Sequence, residues 1–119
     1  MLESKEQITQ ESTLFFPDGE PRASIYKVDG LKHGRCVYFY PGGEVRIWCE
    51  YFMDKLHGYY LENYTNGSTF RVCKFVDGNL HGWVVEYWPN GNCSSKVKYS
   101  NGVVDNSCIE YFNEQGIRR

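Results

Sequence analysis

Residues 76–91 read VDGNLHGWVVEYWPNG and contain both kinds of turn signal found along this chain. A stretch rich in aromatic and β-branched residues lies between a longer turn ending in His-Gly and a short Pro-Asn-Gly turn, a pattern typical of strands joined as hairpins. The two signals recur every 24 residues, as Gly19, Gly43, Gly67 and Gly91 in the short turns and His33, His57 and His81 in the longer ones. This recurrence predicts a tandem array of β-hairpins.

The repeat pattern covers residues 14–116, as four full units and a partial fifth that opens at Tyr111. In the fourth unit the His-Gly pair is replaced by Asp105-Asn106, and Gly116 falls one residue later than the spacing requires. Since every unit consists of strand and turn signals, the predicted fold class is all-β. We expect antiparallel hairpins with a 24-residue period in an elongated, twisted, single-layer sheet.

The two ends of the chain lie outside the repeat pattern. Residues 1–13 are expected to form an N-terminal arm, either flexible or with a short helix within residues 4–7. Residues 117–119 are expected to form a C-terminal tail. Residues 1–10 have no apolar segment after basic residues, and nowhere do about 18 apolar residues run together. The sequence therefore predicts a cytoplasmic protein without a signal peptide or a transmembrane segment.

The short turns set the expected register of the sheet. Their Asp-Gly, Gly-Gly and Asn-Gly pairs are typical of two-residue type I′ loops, whereas the longer turns are predicted to form wider loops. With two-residue loops, the cross-strand pairs are Cys36–Cys49, Tyr60–Cys73, Val84–Val97, Glu62–Arg71, Arg35–Glu50, Tyr59–Lys74 and Trp83–Lys98. One side then carries an apolar row that we expect to be the core: Ile25, Cys36, Cys49, Tyr60, Cys73, Val84, Val97 and Cys108.

The opposite side of the sheet mixes apolar and basic residues, and a single layer leaves it exposed. A large exposed apolar patch usually marks a partner or self-association surface. Since Trp and Tyr contribute disproportionately to binding, the candidate partner-contact residues are Trp48, Tyr59, Trp83, Trp88, Lys74 and Lys98. The alternative is that these aromatic side chains fill the core or pack between neighbouring repeats.

Composition narrows the class of partner. Hydrophobic residues make up 41% and charged residues 24% of the chain, as in ordinary globular domains. The formal net charge of −2 gives no basic surface of the kind that nucleic acids need. Lys74, Lys96 and Lys98 could contact anionic lipid, but each adds only about 1 kcal/mol and the negative net charge opposes such contact. We therefore expect a protein partner and no nucleic acid.

The cysteines favour free thiols over a disulfide framework. The chain has 5 cysteines, an odd number, and they show no Cys-x-x-Cys spacing. A protein without an export signal is expected to keep its thiols reduced. A disulfide between Cys36 and Cys49 is the alternative that the expected register permits.

The histidines and glutamates are dispersed by the same period that identifies the repeats. Equivalent positions in successive hairpins lie two strands apart, about 9–10 Å. That distance is too long for shared zinc ligands, so His33, His57 and His81 are expected to pack against their turns. Glu62, Glu86 and Glu110 are expected to be solvated or ion-paired. The sequence predicts no metal, no cofactor and no catalytic activity.

The segment Gly78-Asn79-Leu80-His81-Gly82, followed by the aromatic pair and short turn of residues 87–91, resembles MORN repeats. Its spacing is closer to the variant repeats of bacterial YwqK-type antitoxin proteins. The ordinary MORN pattern has Gly-x-Gly after the histidine, whereas residues 82–84 read Gly-Trp-Val. The resemblance covers about residues 15–116. It implies an elongated antiparallel sheet used as a scaffold, a dimerisation module or a membrane-lipid contact.

Two functions follow from these patterns. The leading hypothesis is a non-catalytic interaction scaffold that forms a homodimer through a sheet face or through exposed end strands. The alternative is an antitoxin-like inhibitor of a toxic partner protein, as the YwqK-type resemblance implies, or a lipid-contacting MORN module. An enzyme would require a clustered site, which the repeat spacing disperses.

Overall fold

The computed structural model describes residues 8–119, which form ten β-strands in one open antiparallel sheet. The strands are β1 (Thr9–Phe15), β2 (Pro21–Val28), β3 (Leu31–Phe39), β4 (Val45–Phe52), β5 (Lys55–Asn63), β6 (Thr69–Val76), β7 (Asn79–Leu80), β8 (Gly82–Tyr87), β9 (Cys93–Ser100) and β10 (Val103–Tyr111). The predicted all-β, antiparallel class is confirmed. Residues 8–119 contain no helix, and therefore none long and apolar enough to cross a membrane.

The sheet is a meander in which spatial order follows chain order. β7 and β8 are two segments of one path, and both pair with β6. The described chain extends over 62 × 41 × 15 Å. All ten strands belong to this one sheet, so no second sheet packs on it within residues 8–119. The protein is therefore an elongated single layer with two solvent-facing sides.

The predicted register is confirmed at every cross-strand pair named above. Cys36 faces Cys49, and the next positions along the two strands pair Val37 with Trp48. Because successive side chains in a strand point to opposite sides, these two pairs define the two faces. The side that carries Cys36 and Cys49 is termed the inner face, and the side that carries Val37 and Trp48 is termed the outer face.

Burial is greatest on the inner face. The buried residues are Ala23, Ile25, Cys36, Cys49, Cys73 and Ser95. Partly buried side chains pack against this cluster: Tyr38, Ile47, Tyr51, Leu56 and Tyr60. Within the predicted core row, Tyr60, Val84 and Val97 are only half-buried, because no second layer covers them.

The short turns are three-residue loops, so the predicted two-residue type I′ loops are wrong. In the second turn Tyr40 N–H donates to the Glu44 carbonyl (2.8 Å) and Gly43 N–H donates to the Tyr40 carbonyl (3.1 Å). The same two hydrogen bonds close the turns at 16–20, 64–68, 88–92 and 113–117. Each loop ends on a glycine with positive φ, as in a type I turn followed by a one-residue bulge.

One extra residue in the strand after each short loop restores the predicted register. Phe39 faces Val45 but Tyr38 faces Ile47, which leaves Arg46 as the extra residue. The corresponding residues of the other hairpins are Arg22, Phe70 and Ser94. The third residue of the short loop shifts the pairing by one position, and the extra residue of the strand shifts it back. The register is therefore right although the predicted loop is not.

Two-residue loops occur instead at the opposite edge of the sheet, where the sequence predicted wider loops. Val28 faces Leu31 across Asp29-Gly30, whose φ angles are 50° and 81°. Equivalent loops with positive φ at both residues are Met53-Asp54, Asp77-Gly78 and Asn101-Gly102. These are type I′ loops. This edge is termed the I′ edge, and the other is termed the short-turn edge.

A wide bulge follows each type I′ loop. Between β2 and β3 the pairs Lys27–Lys32 and Ile25–Cys36 leave residues 33–35 opposite a single residue of β2. The bulges after the first three type I′ loops contain the His-Gly pairs, whose glycines Gly34, Gly58 and Gly82 have φ angles of 89°, 110° and 89°. The His-Gly signal thus marks a bulge and not the turn itself.

The bulge after the last type I′ loop, between β9 and β10, is one residue longer. Two sequence-based expectations are therefore wrong. Ile109, and not Cys108, faces Val97 and continues the core row. Glu110 consequently lies on the outer face, so it does not continue the series of inner-face glutamates. The extra residue also accounts for Gly116 falling one residue late.

The N-terminal region extends the sheet. The sequence predicts a flexible or helical arm over residues 1–13, whereas Thr9–Phe15 forms strand β1 beside β2. The short helix expected within residues 4–7 lies outside the described residues. The structure therefore differs from the expected arm from Thr9 onward.

The C-terminal residues pair back onto the sheet. Arg118 forms an antiparallel bridge with Phe112, and Arg119 N–H donates to the Tyr111 carbonyl at 2.7 Å. These contacts lie within residues 117–119, which the sequence separates from the array as a tail. They pair with one end of β10 on the side that has no neighbouring strand.

Candidate functional site

The outer face carries a continuous apolar band across the middle of the sheet. Within hairpins Val37 faces Trp48 and Leu61 faces Val72. Between hairpins Trp48 faces Leu61 and Val72 faces Val85, so the band crosses β3, β4, β5, β6 and β8 without a gap. The five side chains are half-buried, because they cover one another laterally but have no layer above them. They are termed the apolar band below.

A row of alternating aromatic and lysine side chains borders the apolar band on its I′-edge side. Tyr59 faces Lys74 and Trp83 faces Lys98, with the ammonium groups 5.7 Å and 5.8 Å from the ring centroids. Such cation–π contacts contribute about 0.5–1 kcal/mol at exposed positions. Tyr59 is 58% exposed and Trp83 is 44% exposed. Much of each ring therefore remains available to a partner.

Basic and acidic side chains both lie around these rings. Lys74 and Lys98 are exposed. The Glu50 carboxylate already accepts the backbone N–H of Tyr59 at 2.9 Å. On the same face Glu110 forms an ion pair with an arginine of the C-terminal residues at 3.5 Å. A hydrogen bond from a backbone N–H leaves the Glu50 carboxylate charged, so acidic and basic groups both lie beside the band.

The structure places the six candidate contact residues in three locations. It brings Tyr59, Lys74, Trp83 and Lys98 together in the aromatic and lysine row and places Trp48 within the apolar band. Trp88 lies apart, at the short-turn edge, where its indole N–H donates to the Phe112 carbonyl at 3.3 Å. Trp88 therefore links neighbouring turns, which is the lateral packing that the sequence left as an alternative.

Sequence reasoning missed that Trp88 belongs to a ladder of side-chain hydrogen bonds along the short-turn edge. Tyr40 Oη donates to the Asn63 carbonyl at 2.7 Å, and Tyr64 Oη donates to the Tyr87 carbonyl at 2.6 Å. Each donor is the aromatic residue that opens a short turn. The recurring aromatic residue before each turn was the signal that could have revealed this ladder. Its role is to fix the spacing of neighbouring hairpins.

The first two histidines of the chain pack against an aromatic side chain at the I′ edge. His33 and His57 lie on Phe52, with ring centroids 5.0 Å and 5.9 Å apart. His57 Nδ1 accepts the backbone N–H of Asp77 at 3.1 Å. His33 Nδ1 is buried without a hydrogen-bond partner among the described residues. Within residues 8–119 no group of three His, Cys, Asp or Glu side chains could hold a metal ion.

The cysteines of the inner face behave as small apolar core residues. Cys36, Cys49 and Cys73 are buried, and all five cysteines are free. Burial raises the pKa of the Cys49 thiol to about 12, and the neighbouring Cys36 adds to the shift. Burial also raises the pKa of Cys73 to about 11. Since the thiolate is the nucleophile and the metal ligand, these protonated thiols are unreactive at neutral pH.

An ion-paired cluster interrupts the apolar surface of the inner face. Arg71 donates to Oε2 of Glu86 from Nε (2.8 Å) and from Nη2 (2.5 Å). The Tyr60 hydroxyl donates to Glu62 at 3.1 Å. Burial and the adjacent Glu62 carboxylate raise the pKa of Tyr60 to about 12. These carboxylates are held by partners, which matches the ion-paired alternative to acid–base chemistry.

Comparison with known proteins leaves the geometry as the main guide to function. No protein-family model matches this chain, and no curated protein matches it. The resemblance to MORN repeats therefore rests on the repeated residues quoted above. The outer face, with its apolar band and its aromatic and lysine row, is the surface with the most features of a binding site.

Proposed function

We propose that this chain is a non-catalytic repeat scaffold that binds a protein partner and self-associates through its outer face. The observation that carries the proposal is the apolar band, with the exposed rings of Tyr59 and Trp83 beside it. Extended apolar surfaces of this kind mark interaction sites. Tyr and Trp are also enriched among the residues that dominate binding energies.

The structural unit of the proposed scaffold is a MORN-like hairpin of 24 residues. Two irregularities of the sheet support this unit. Short loops close at 16–20, 40–44, 64–68 and 88–92, and the extra residue after each loop is Arg22, Arg46, Phe70 or Ser94. Each unit contacts only its neighbours, so adding units lengthens the binding surface without changing its chemistry.

The dimensions of the sheet suit a homodimer. A face measuring 62 × 41 Å is far larger than the roughly 800 Å² that each partner buries in a standard interface. A dimer of standard size needs to bury only the apolar band and the residues that border it. At about 25 cal/mol per Å² of apolar surface, burial of the band would favour association strongly.

The position of the lysines is compatible with two outer faces in contact. Tyr59, Lys74, Trp83 and Lys98 all lie on one side of the apolar band. In a face-to-face dimer whose two-fold axis runs along the band, the rows of the two copies lie on opposite sides of the band. The like charges are then separated by the width of the band. Such an arrangement is self-complementary, as a two-fold interface requires.

Light scattering coupled to size-exclusion chromatography tests the proposal. We expect the wild-type chain to reach a mass of twice 13.9 kDa as concentration rises. The dissociation constant of the double variant Tyr59→Ser/Trp83→Ser should rise by at least about thirtyfold, because the loss of a single binding hot spot costs about 2 kcal/mol or more. Tyr111→Ser is the matched control, since this ring is 48% exposed but lies on the inner face.

Three results would contradict the proposal. One is a wild-type chain that stays monomeric and binds no protein in pull-downs from its native source. Another is a Tyr59→Ser/Trp83→Ser variant that dimerises as well as the wild type. The third is a monomer that binds phosphatidylserine vesicles through these two rings, because the outer face would then be a lipid contact.

A further inference from the structure

A depression of about 260 Å³ lies at the short-turn edge between the first two hairpins. Its lining residues are Phe16, Arg22, Phe39, Tyr40, Pro41 and Arg46. Three aromatic rings and a proline form apolar walls, and the two arginines are its charged groups. It lies apart from the aromatic and lysine row of the outer face, so its function goes beyond the proposed scaffold.

The two arginines share this depression because of the bulges that follow the short loops. Arg22 is the extra residue of β2 and Arg46 is the extra residue of β4. These strands flank β3, so the two backbones are about 10 Å apart and long side chains can converge. The corresponding residues of later hairpins are Phe70 and Ser94, which carry no charge. Two adjacent guanidinium groups at bulges therefore occur only between the first two hairpins of the described chain.

No carboxylate neutralises the arginines of this depression. Both side chains are exposed, and the ion pairs and side-chain hydrogen bonds formed within residues 8–119 involve neither of them. No lining residue is acidic. The depression thus presents two unpaired positive charges next to aromatic walls.

We propose that this depression binds a phosphate monoester carried on an aromatic ring. Each guanidinium presents five N–H donors and forms paired hydrogen bonds with anionic oxygens. A carboxylate has two oxygens and one charge, which a single arginine satisfies. A phosphate monoester has three terminal oxygens and about −1.5 to −2 charges at neutral pH, which matches two arginines. The rings of Phe16 and Phe39 and the Pro41 side chain would cover the aromatic ring of the ligand.

An NMR titration with phenyl phosphate tests this site. We expect saturable shifts confined to the backbone and ring signals around Phe16, Phe39 and Tyr40. The double variant Arg22→Gln/Arg46→Gln should bind about tenfold or more weakly, since charge-assisted hydrogen bonds are lost. Arg35→Gln is the matched control, because this exposed arginine faces Glu50 outside the depression. A parallel titration with the blocked amino acid O-phosphotyrosine compares a peptide source with a free aryl phosphate, and tighter binding of either one supports the site.

Each of four results would overturn the proposal. The wild-type chain could show no saturable shift, or the Arg22→Gln/Arg46→Gln variant could bind as tightly as the wild type. Benzoate binding as tightly as phenyl phosphate would remove the preference for a phosphate. Inorganic phosphate binding as tightly as phenyl phosphate would remove the role of the aromatic walls. Failure of the scaffold proposal would appear separately, as a wild-type chain that stays monomeric in light scattering whether or not it binds phenyl phosphate.

Discussion

Replacing Gly58 with alanine should create a steric clash within one bulge of the sheet. Gly58 has a φ of 110°, and a Cβ atom built there would lie 2.0 Å from Oε2 of Glu50. That oxygen accepts the backbone N–H of Tyr59 at 2.9 Å. The Glu50 side chain can move, because the clash is at its far end, but the hydrogen bond is then lost. Gly34 is the matched position, with a φ of 89° and no atom within 4 Å of a built Cβ.

The difference between the two glycines can be estimated from these contacts. Alanine at positive φ costs about 1–2 kcal/mol, and the reduced entropy of the unfolded chain returns about 0.4–1 kcal/mol. Gly34→Ala should therefore lower the free energy of unfolding by about 1 kcal/mol. Gly58→Ala should lower it by about 2 kcal/mol, because a partly exposed hydrogen bond to the Glu50 carboxylate adds about 1 kcal/mol.

Urea denaturation followed by circular dichroism and by Trp fluorescence measures both values, and coincident transitions would show two-state unfolding. The sharper test is a double-mutant cycle. In a Glu50→Ala background the clash and the hydrogen bond are both absent, so Gly58→Ala should cost no more than Gly34→Ala. Equal costs of the two glycine variants in the wild-type background would refute the reasoning. So would a cost of Gly58→Ala that stays the same without Glu50.

Two other predictions concern hydroxyl and thiol groups. Tyr64→Phe removes the donor to the Tyr87 carbonyl (2.6 Å) and should cost about 1 kcal/mol in urea denaturation, whereas Tyr59→Phe, which alters an exposed ring, should cost nothing. The pKa values of Cys49 and Tyr60 are raised in the folded state from 9.0 and 10.0 to about 12. The folded state then holds protons that the unfolded state releases, so their contribution to stability is complete below about pH 9 and is lost as pH rises toward about 12. Between about pH 8 and about pH 11, the free energy of unfolding from urea denaturation should fall less in Cys49→Ala and in Tyr60→Phe than in the wild type. A fall as large as in the wild type would contradict the raised pKa of the residue replaced.

The register of the sheet was predictable from the sequence, but the loops were not. The pairs that face each other followed from assuming two-residue short loops, and they are right because a three-residue loop and the extra strand residue after it have opposite effects on the pairing. The Asp-Gly and Asn-Gly pairs of the short turns are equally compatible with a two-residue loop and with a three-residue loop that ends on glycine. Only backbone geometry distinguishes them, and the extra residue at Arg46 compensates for the difference. Met53-Asp54 contains no glycine, so its type I′ loop gave little signal.

The candidate surface was predictable in part. Strand alternation placed Tyr59, Lys74, Trp83 and Lys98 on one side, and the structure joins them in one row. The hydrogen bond of Trp88 depends on a turn one hairpin away, which the strand pattern does not describe. The depression between the first two hairpins was missed for the same reason. Its arginines meet because of bulges, and a bulge leaves no periodic signal in the sequence.

The extra residue between Val104 and Ile109 has a consequence for how such arrays can diverge. In a regular pleat a single inserted residue exchanges the two faces of everything that follows it. Here the bulge beside the type I′ loop absorbs the insertion, and Ile109 still continues the core row. An insertion at such a bulge therefore leaves the two faces of the following strand unchanged, and the bulges beside the type I′ loops are suitable places to graft a foreign peptide.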